Sequence, residues 1–189
     1  NIVKTEFSKK YGIDFLEPLG FNNTFVLALK KDFAKKNNLN TISDLAKISN
    51  TLNSGLTMEF ANRQDGYIGL KKIYGLNFKN LKGVDGGLRY SALEKDDIQV
   101  TDAFSTDGML KKFDLKLLKD DKGFFPPYYA VPVIRDDTLK KHPELKGILQ
   151  LLAGKITDSD MRTMNYKVDN GAQSRTVAED FLRSKKLIK

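Results

Sequence analysis

The sequence predicts an α/β fold in which one complete lobe over residues 21–135 is followed by helices that need a second sheet to lie on. Three observations predict it. Short apolar runs alternate with lysine-rich helical stretches as far as Arg135, only helical periodicity follows, and an aromatic and proline-rich turn, "KGFFPPYYAVPV" over 122–133, stands where the pattern changes.

The first strand is expected at Phe25–Leu29, short and apolar, leading into the helical "KKDFAKKNN". In "NTISDLAKIS", Thr41 or Ser43 offers an N-cap for a helix that turns Leu45 and Ile48 inward. "GLTMEF" reads as a second strand, and "DGYIGLKKIYGL" as a helix that covers one side with Ile68, Leu70 and Ile73 and stops at Gly75. "IQVTDAF", "FDLKLLKDD" and "YAVPVIR" complete the strands. Three amphipathic helices then follow. The first carries Leu145, Ile148, Leu149 and Leu152 and ends at Gly154; the second follows Thr157 and carries Met161, Met164 and Tyr166; the third, capped near Ser174, carries Val177, Ala178, Phe181 and Leu182. Residues 1–20 and 136–189 are therefore assigned to a hinge and to the helical remainder of a second lobe.

Composition narrows the chemistry. The 189 residues are 40% hydrophobic and 10% aromatic, with no apolar run long enough for a bilayer and no signal-peptide pattern at the N-terminus. Without cysteine there is no disulfide, thiolate site or cysteine nucleophile, and the single histidine, His142 in "KKHPELKG", reads as the start of a surface helix. One histidine builds neither a triad nor a multi-histidine metal site, and no cofactor is expected. The net charge of +8 is spread over lysine pairs separated by acidic and apolar residues, which fits solvated helix faces and argues against nucleic-acid binding. "EKDD" and "KDD" offer carboxylate pairs, but both lie in polar, lysine-rich runs without a nucleophile beside a base, so an enzyme is not expected.

Three segments carry candidate chemistry. "PLGFNNTF" (18–25) makes a turn before a strand, and taken alone it is simply a loop leading into that strand. "DAFSTDG" (102–108) ends a strand with Phe104, followed by small and acidic groups that would serve equally as a helix cap through Ser105 or Asp107. The third is the 122–133 turn, where Pro126 and Pro127 fix φ and withhold two amide donors. Together they set aromatic residues beside three backbone turns. A trimethylammonium group has no N–H to donate, so ring faces and desolvation must recognise it, at about 0.5–2 kcal/mol for each well-placed ring. A zwitterion also needs its carboxylate answered, and Arg63 in "MEFANRQDG" presents a planar fork suited to that.

At this point the sequence resembles the glycine betaine/OpuAC-like (OpuAC/ProX-like) substrate-binding proteins of ABC transporters for betaine, choline and carnitine. The matching runs are "LEPLGFNNTFVLAL", "TISDLA", "EFANRQDGYIGLKKIYGL", "DAFSTDG", "LKDDKGFFPPYYAVPVIR", "HPEL" and "MRTMNYKVD", in unbroken order over nearly the whole chain. The resemblance implies a two-lobed fold of the type II periplasmic-binding-protein kind with ligand between the lobes. It implies aromatic cage walls at Phe25, Phe104 and Tyr128, a carboxylate clamp at Arg63 and a backbone contribution from Asn23. The prolines would then pin the crossing so that Tyr128 faces the cleft and Tyr129 the opposite way, with Phe124 and Phe125 anchoring the turn beneath. It further implies an ABC permease as partner, no catalytic role, and an extracytoplasmic location in the periplasm or on the outer face of the cell membrane, held by an anchor or permease fusion outside this chain.

Two departures from the family pattern shape the expectation. The family usually has tyrosine where this chain has Phe25 and Phe104, which leaves a drier cage suited to a larger betaine with its own ring, such as ergothioneine. The family also begins with a sizeable N-terminal portion that supplies the first strands of the other lobe and a further cage wall. The N-terminal part of one lobe is therefore expected to be missing from this chain, and the isolated chain to bind weakly. A solute sensor built on the same fold remains an open alternative.

Overall fold

The computed structural model describes residues 2–189, and by internal packing they form two units, residues 24–127 and residues 2–23 with 128–189. The strands among the described residues are β1 (Ile13–Phe15), β2 (Phe25–Lys30), β3 (Asn53–Leu56), β4 (Asn80–Gly83), β5 (Val100–Phe104), β6 (Leu115–Leu117) and β7 (Val133–Arg135). The architecture is mixed α/β.

The 24–127 unit is built on a five-stranded sheet in the order β4-β3-β5-β2-β6. β3 runs parallel to β4 and β5, whereas β2 runs antiparallel to β5 and β6. Because side chains alternate across a strand, Phe25, Leu27 and Leu29 enter one core with Leu45, Leu56, Phe60, Leu70 and Val100, while Ala28 enters a second with Tyr90, Leu93, Ile98, Ala103 and Leu110. The helix Ile42–Ile48 starts at Thr41, whose hydroxyl accepts from Asp44 N while the Asp44 carboxylate accepts from Thr41 N. Thr41 thus fills the expected capping role, and Ser43 lies inside the helix.

Four sequence expectations change here. "GLTMEF" is a strand only to Leu56, because Thr57 caps a short helix, Met58–Ala61, by accepting from Phe60 N. A distant partner makes that break: the Asp102 carboxylate on β5 takes both Thr57 N at 2.7 Å and the Thr57 hydroxyl at 2.8 Å. The helix Tyr67–Tyr74 does stop at Gly75, in the left-handed conformation at φ 73°, but it buries Tyr67, Gly69, Leu70 and Tyr74. Ile68 and Ile73 are 39% and 45% exposed, so the inward face is turned from the one that apolar spacing predicts. β4 was not anticipated; its "NLKG" is exposed along its length and is held by parallel pairing with β3. "YAVPVIR" contributes only Val133–Arg135 as strand, and its partner is β1, through Ile13 with Arg135 and Phe15 with Val133, in the other unit. The division between units accordingly falls at 23/24 and 127/128, where the sequence placed it at 20/21 and 135/136.

The unit of residues 2–23 and 128–189 holds the β1–β7 ribbon, the helix Ile2–Tyr11 and helices at Asp136–Lys141, Glu144–Gln150, Asp158–Asp169 and Ser174–Ser184. The first expected helix is Glu144–Gln150, which starts after His142–Pro143, and Asp136–Lys141 is a further helix before it. Asp158–Asp169 begins with a capping box between Thr157 and Asp160, and of the apolar residues on the last helix Val177 is buried at 5%. Among the described residues no helix is long and apolar enough to cross a membrane.

The cap of Ile42–Ile48 yields a pH test. The Thr41 hydroxyl first, then Lys47, holds the Asp44 carboxylate down to about 2. A depressed acid contributes stability above its ordinary value near pH 4 that is lost as pH falls toward 2. Urea midpoints of Asp44→Asn are expected to fall less steeply than those of the wild type over that window; equal slopes would refute the cap's contribution.

Candidate functional site: an aromatic cluster at the end of β5

The β2–β5 register sets Phe25 directly opposite Phe104. Their rings stack with centroids 4.6 Å apart and planes 25° apart, an arrangement worth about 0.5–1.5 kcal/mol beyond area burial. Phe60, from the turn that Thr57 caps, lies 5.0 Å from Phe25, and Phe125 lies 6.3 Å from Phe25 and 6.1 Å from Phe60. Phe25 is only 5% exposed and belongs to the main core, whereas Phe104 is half-buried at its edge. The Arg63 guanidinium carbon stands over the Phe25 ring, 5.6 Å from its centroid. A cation already lies on one of these rings.

Arg63 is answered within its own turn. Nε and Nη2 donate to the two Asp65 oxygens at 2.7 Å each, and Nη1 donates to Glu59 Oε1 at 2.8 Å. The Asp65 hydrogen bonds, ahead of Glu59, push the guanidinium further above its ordinary range, so it stays charged. The glutamate and aspartate partners were missed in the sequence reading, although Glu59 to Arg63 is an i,i+4 helical spacing that could have flagged one of them.

Phe104 is positioned by a buried polar cluster that sequence reasoning also missed. Asp107 occupies the N-cap position of the helix Gly108–Lys112, yet its side chain makes no cap hydrogen bond. Its Oδ2 instead accepts from Phe104 N at 3.1 Å, the Tyr90 hydroxyl at 2.7 Å and Arg89 Nη2 at 3.2 Å. Arg89 is 7% exposed, and its Nε has no hydrogen-bond partner. Burial first, then the Asp107 charge, push the Tyr90 phenol up, which keeps its hydrogen in place as a donor. On the same face of β5, burial raises the Asp102 carboxyl despite the two Thr57 bonds.

The 122–127 turn is anchored beneath by the expected pair of rings. Phe124 lies against Gly69, where an added Cβ would meet the ring at 2.5 Å, and Phe125 packs 5.0 Å from Phe124. Asp120 accepts from the Tyr74 hydroxyl and from Phe125 N at 2.8 Å, while Lys122 N donates to the Tyr74 oxygen at 2.7 Å. Thr24 Oγ1 donates to the Pro126 carbonyl at 2.9 Å.

Tyr128 and Asn23 belong to the other unit, where they are joined to one another: Asn23 N donates to the Tyr128 carbonyl at 3.0 Å, and Tyr128 N to Asn22 Oδ1 at 2.6 Å. The Asn23 amide is therefore engaged by the chain itself. The Tyr128 and Tyr129 side chains are 45% and 56% exposed. The structure thus brings Phe25, Phe104 and Arg63 together within one unit, and Tyr128 with Asn23 within the other. His142 is exposed, its Nδ1 3.5 Å from Glu144, and no group of three or more metal-ligating side chains occurs among the described residues.

A mixed α/β frame of this kind is shared with solute-binding domains. The chain belongs to the family described as the substrate binding domain of ABC-type glycine betaine transport systems, which matches residues 1–184. Carnitine transport binding protein OpuCC of Listeria monocytogenes is 41% identical over 183 residues, covering 96% of this chain and 59% of that protein. The ergothioneine transport permease/ergothioneine binding protein EgtU of Helicobacter pylori is 42% identical and covers 95% of this chain and 33% of its own length. The chain thus spans about three fifths or less of these relatives. Among solved structures, that of a glycine betaine/carnitine/choline ABC transporter superposes with a TM-score of 0.91 at 43% identity, over 97% of this chain and 68% of that one. Lactococcal OpuAC with glycine betaine shares the fold at 22% identity and a TM-score of 0.59, and the fold is that of type II periplasmic binding proteins. The matching family is one of substrate-binding domains of transport systems.

The Asp107 cluster gives a stability test. Removing the partner of a buried arginine strands its charge, so Asp107→Ala is expected to destabilise the protein by about 3–5 kcal/mol in urea unfolding. A loss no larger than that of an exposed substitution would show that the cluster does not hold the loop.

Proposed function

We propose that the full protein captures a betaine-type quaternary-ammonium solute outside the cytoplasm and delivers it to an ABC permease. The observation that carries this reading is the stacked Phe25–Phe104 pair with a guanidinium 5.6 Å over Phe25, a place where π faces already serve a cation. Phe104, half-buried at the edge of the core, would present the first ring to the ligand, with Phe25 supporting it from behind. Tyr128 would add a ring from the other unit, and the Asn23 carbonyl a backbone acceptor. Arg63 would answer a carboxylate through the two N–H groups left by its three bonds to Asp65 and Glu59. Lobe closure around the ligand would be the signal that the permease reads.

Ergothioneine is the second reading. Its support is the absence of hydroxyls at Phe25 and Phe104, which leaves apolar walls for a ring-bearing betaine, together with the Helicobacter relative named for that ligand.

Calorimetry on the full-length protein with glycine betaine, choline, carnitine and ergothioneine tests both. Phe104→Ala is expected to weaken binding of the preferred ligand by about 2- to 30-fold, the worth of one ring. If none of the four binds, or if Phe104→Ala leaves every affinity unchanged, the cage assignment fails.

A further inference from the structure

We infer that Asn22 is the positioning residue of the Tyr128 ring: its side-chain oxygen and its backbone amide tie the Tyr128 backbone to the start of the helix Asp158–Asp169. The inference rests on the proposed reading in which that ring meets a quaternary-ammonium solute. Tyr128 N donates to Asn22 Oδ1 at 2.6 Å, and Asn22 N donates to Asp158 Oδ1 at 2.8 Å. Because a backbone amide can only donate, the Asn22 side chain turns its oxygen and not its nitrogen to Tyr128.

This relay ends a pair of zipped segments within one unit. Beyond the β1–β7 ribbon, Leu16 N donates to the Pro132 carbonyl at 3.0 Å, Leu19 N to the Ala130 carbonyl at 2.9 Å and Ala130 N to the Phe21 carbonyl at 3.3 Å. At the far end Asn23 N donates to the Tyr128 carbonyl at 3.0 Å, and a side chain takes the Tyr128 amide. Residues 18–22 also lie against 154–158. Gly154 N donates to the Pro18 carbonyl at 3.0 Å and Ile156 N to the Leu19 carbonyl at 3.1 Å, and a Cβ on Gly20, at φ 121°, would stand 2.7 Å from the Ile156 carbonyl oxygen. Asp158 is fixed in turn, since it opens a helix whose capping box pairs Thr157 with Asp160.

Two anchored peptide groups, one on each side of the Tyr128 Cα, set the direction in which its Cβ leaves the chain. The side chain is 45% exposed, so neighbouring groups cover only part of it and the backbone anchor carries more of its orientation. A ring oriented before the ligand arrives loses less freedom on binding, which raises affinity. Asn22 therefore acts on the ligand through Tyr128.

Calorimetry on the full-length protein tests this, with whichever of glycine betaine, choline, carnitine and ergothioneine the wild type binds most tightly. Asn22→Ala is expected to weaken that affinity by about 2- to 10-fold, the scale of one hydrogen bond. In a Tyr128→Ala background the same substitution is expected to change affinity by less than about twofold, because its effect passes through the ring that is gone. Asp158→Ala is expected to weaken binding as Asn22→Ala does, and Asp158→Asn, which keeps an oxygen for Asn22 N, to retain the wild-type affinity. Both positions are only half-buried, so the variants are expected to fold, which urea unfolding checks; if Asn22→Ala does not fold, the Asp158 pair decides. Equal losses from Asn22→Ala with and without the Tyr128 ring overturn the inference, as do equal losses in Asp158→Ala and Asp158→Asn, or unchanged affinity in the folded alanine variants. Unchanged affinity in Tyr128→Ala overturns it too and leaves the role of Phe104 standing. Failure of the wild type to bind any of the four overturns the proposed function along with it.

Discussion

The register between β2 and β5 is the constraint on which the site depends. Pairing Phe25 with Phe104 fixes two rings face to face, and it also sets Asp102 opposite Leu27 on the same side of the sheet. That buried carboxylate takes the amide and hydroxyl of Thr57, ends β3 and starts the turn that carries Phe60 and Arg63. A one-residue slip of β5 would turn Phe104 and Asp102 to the opposite core and break both arrangements together. The polar contact is therefore a positional device: it costs desolvation, as the raised Asp102 carboxyl shows, and it fixes where the charged turn begins.

The loops around this register are held by carboxylates that turn away from their usual local roles. Asp107 stands where a helix cap would, yet it gathers the Phe104 amide, the Tyr90 hydroxyl and Arg89. Asp120 receives the Tyr74 hydroxyl and the Phe125 amide, which stills the aromatic turn ahead of Pro126 and Pro127. In both places one acid satisfies several donors in a semi-buried setting, where hydrogen bonds to a charged acceptor are stronger than neutral ones. Aromatic side chains lose few rotamers when fixed, so rings on such anchored loops are preorganised at low entropic cost.

Arg63 shows how a residue read correctly by type still changes meaning in its surroundings. A guanidinium beside rings fits a ligand carboxylate, but here its best edge already holds Asp65 and a further donor holds Glu59. The guanidinium is thus held in place by its own turn and keeps two N–H groups beyond these bonds. Phe25 and Phe104 carry no hydroxyl, so π faces are all that these two rings could offer a cation.

The sequence by itself determined the α/β class, the strand at Phe25, a cap at Thr41 or Ser43, the helix that follows Thr157 and the stop at Gly75. These follow from periodicity, capping chemistry and φ preferences, all of which act within a few residues. The tertiary structure decided the rest. β4 carries no apolar alternation and exists through its parallel pairing with β3, and β7 finds β1 across more than a hundred residues. The inward face of Tyr67–Tyr74 was chosen by Phe124 arriving at Gly69. The pairing of Arg89 with Asp107 and of Thr57 with Asp102 likewise joins residues far apart in the chain. Such contacts leave no local signature, because the free energy that selects them comes from burial and charge neutralisation available only once the chain has folded.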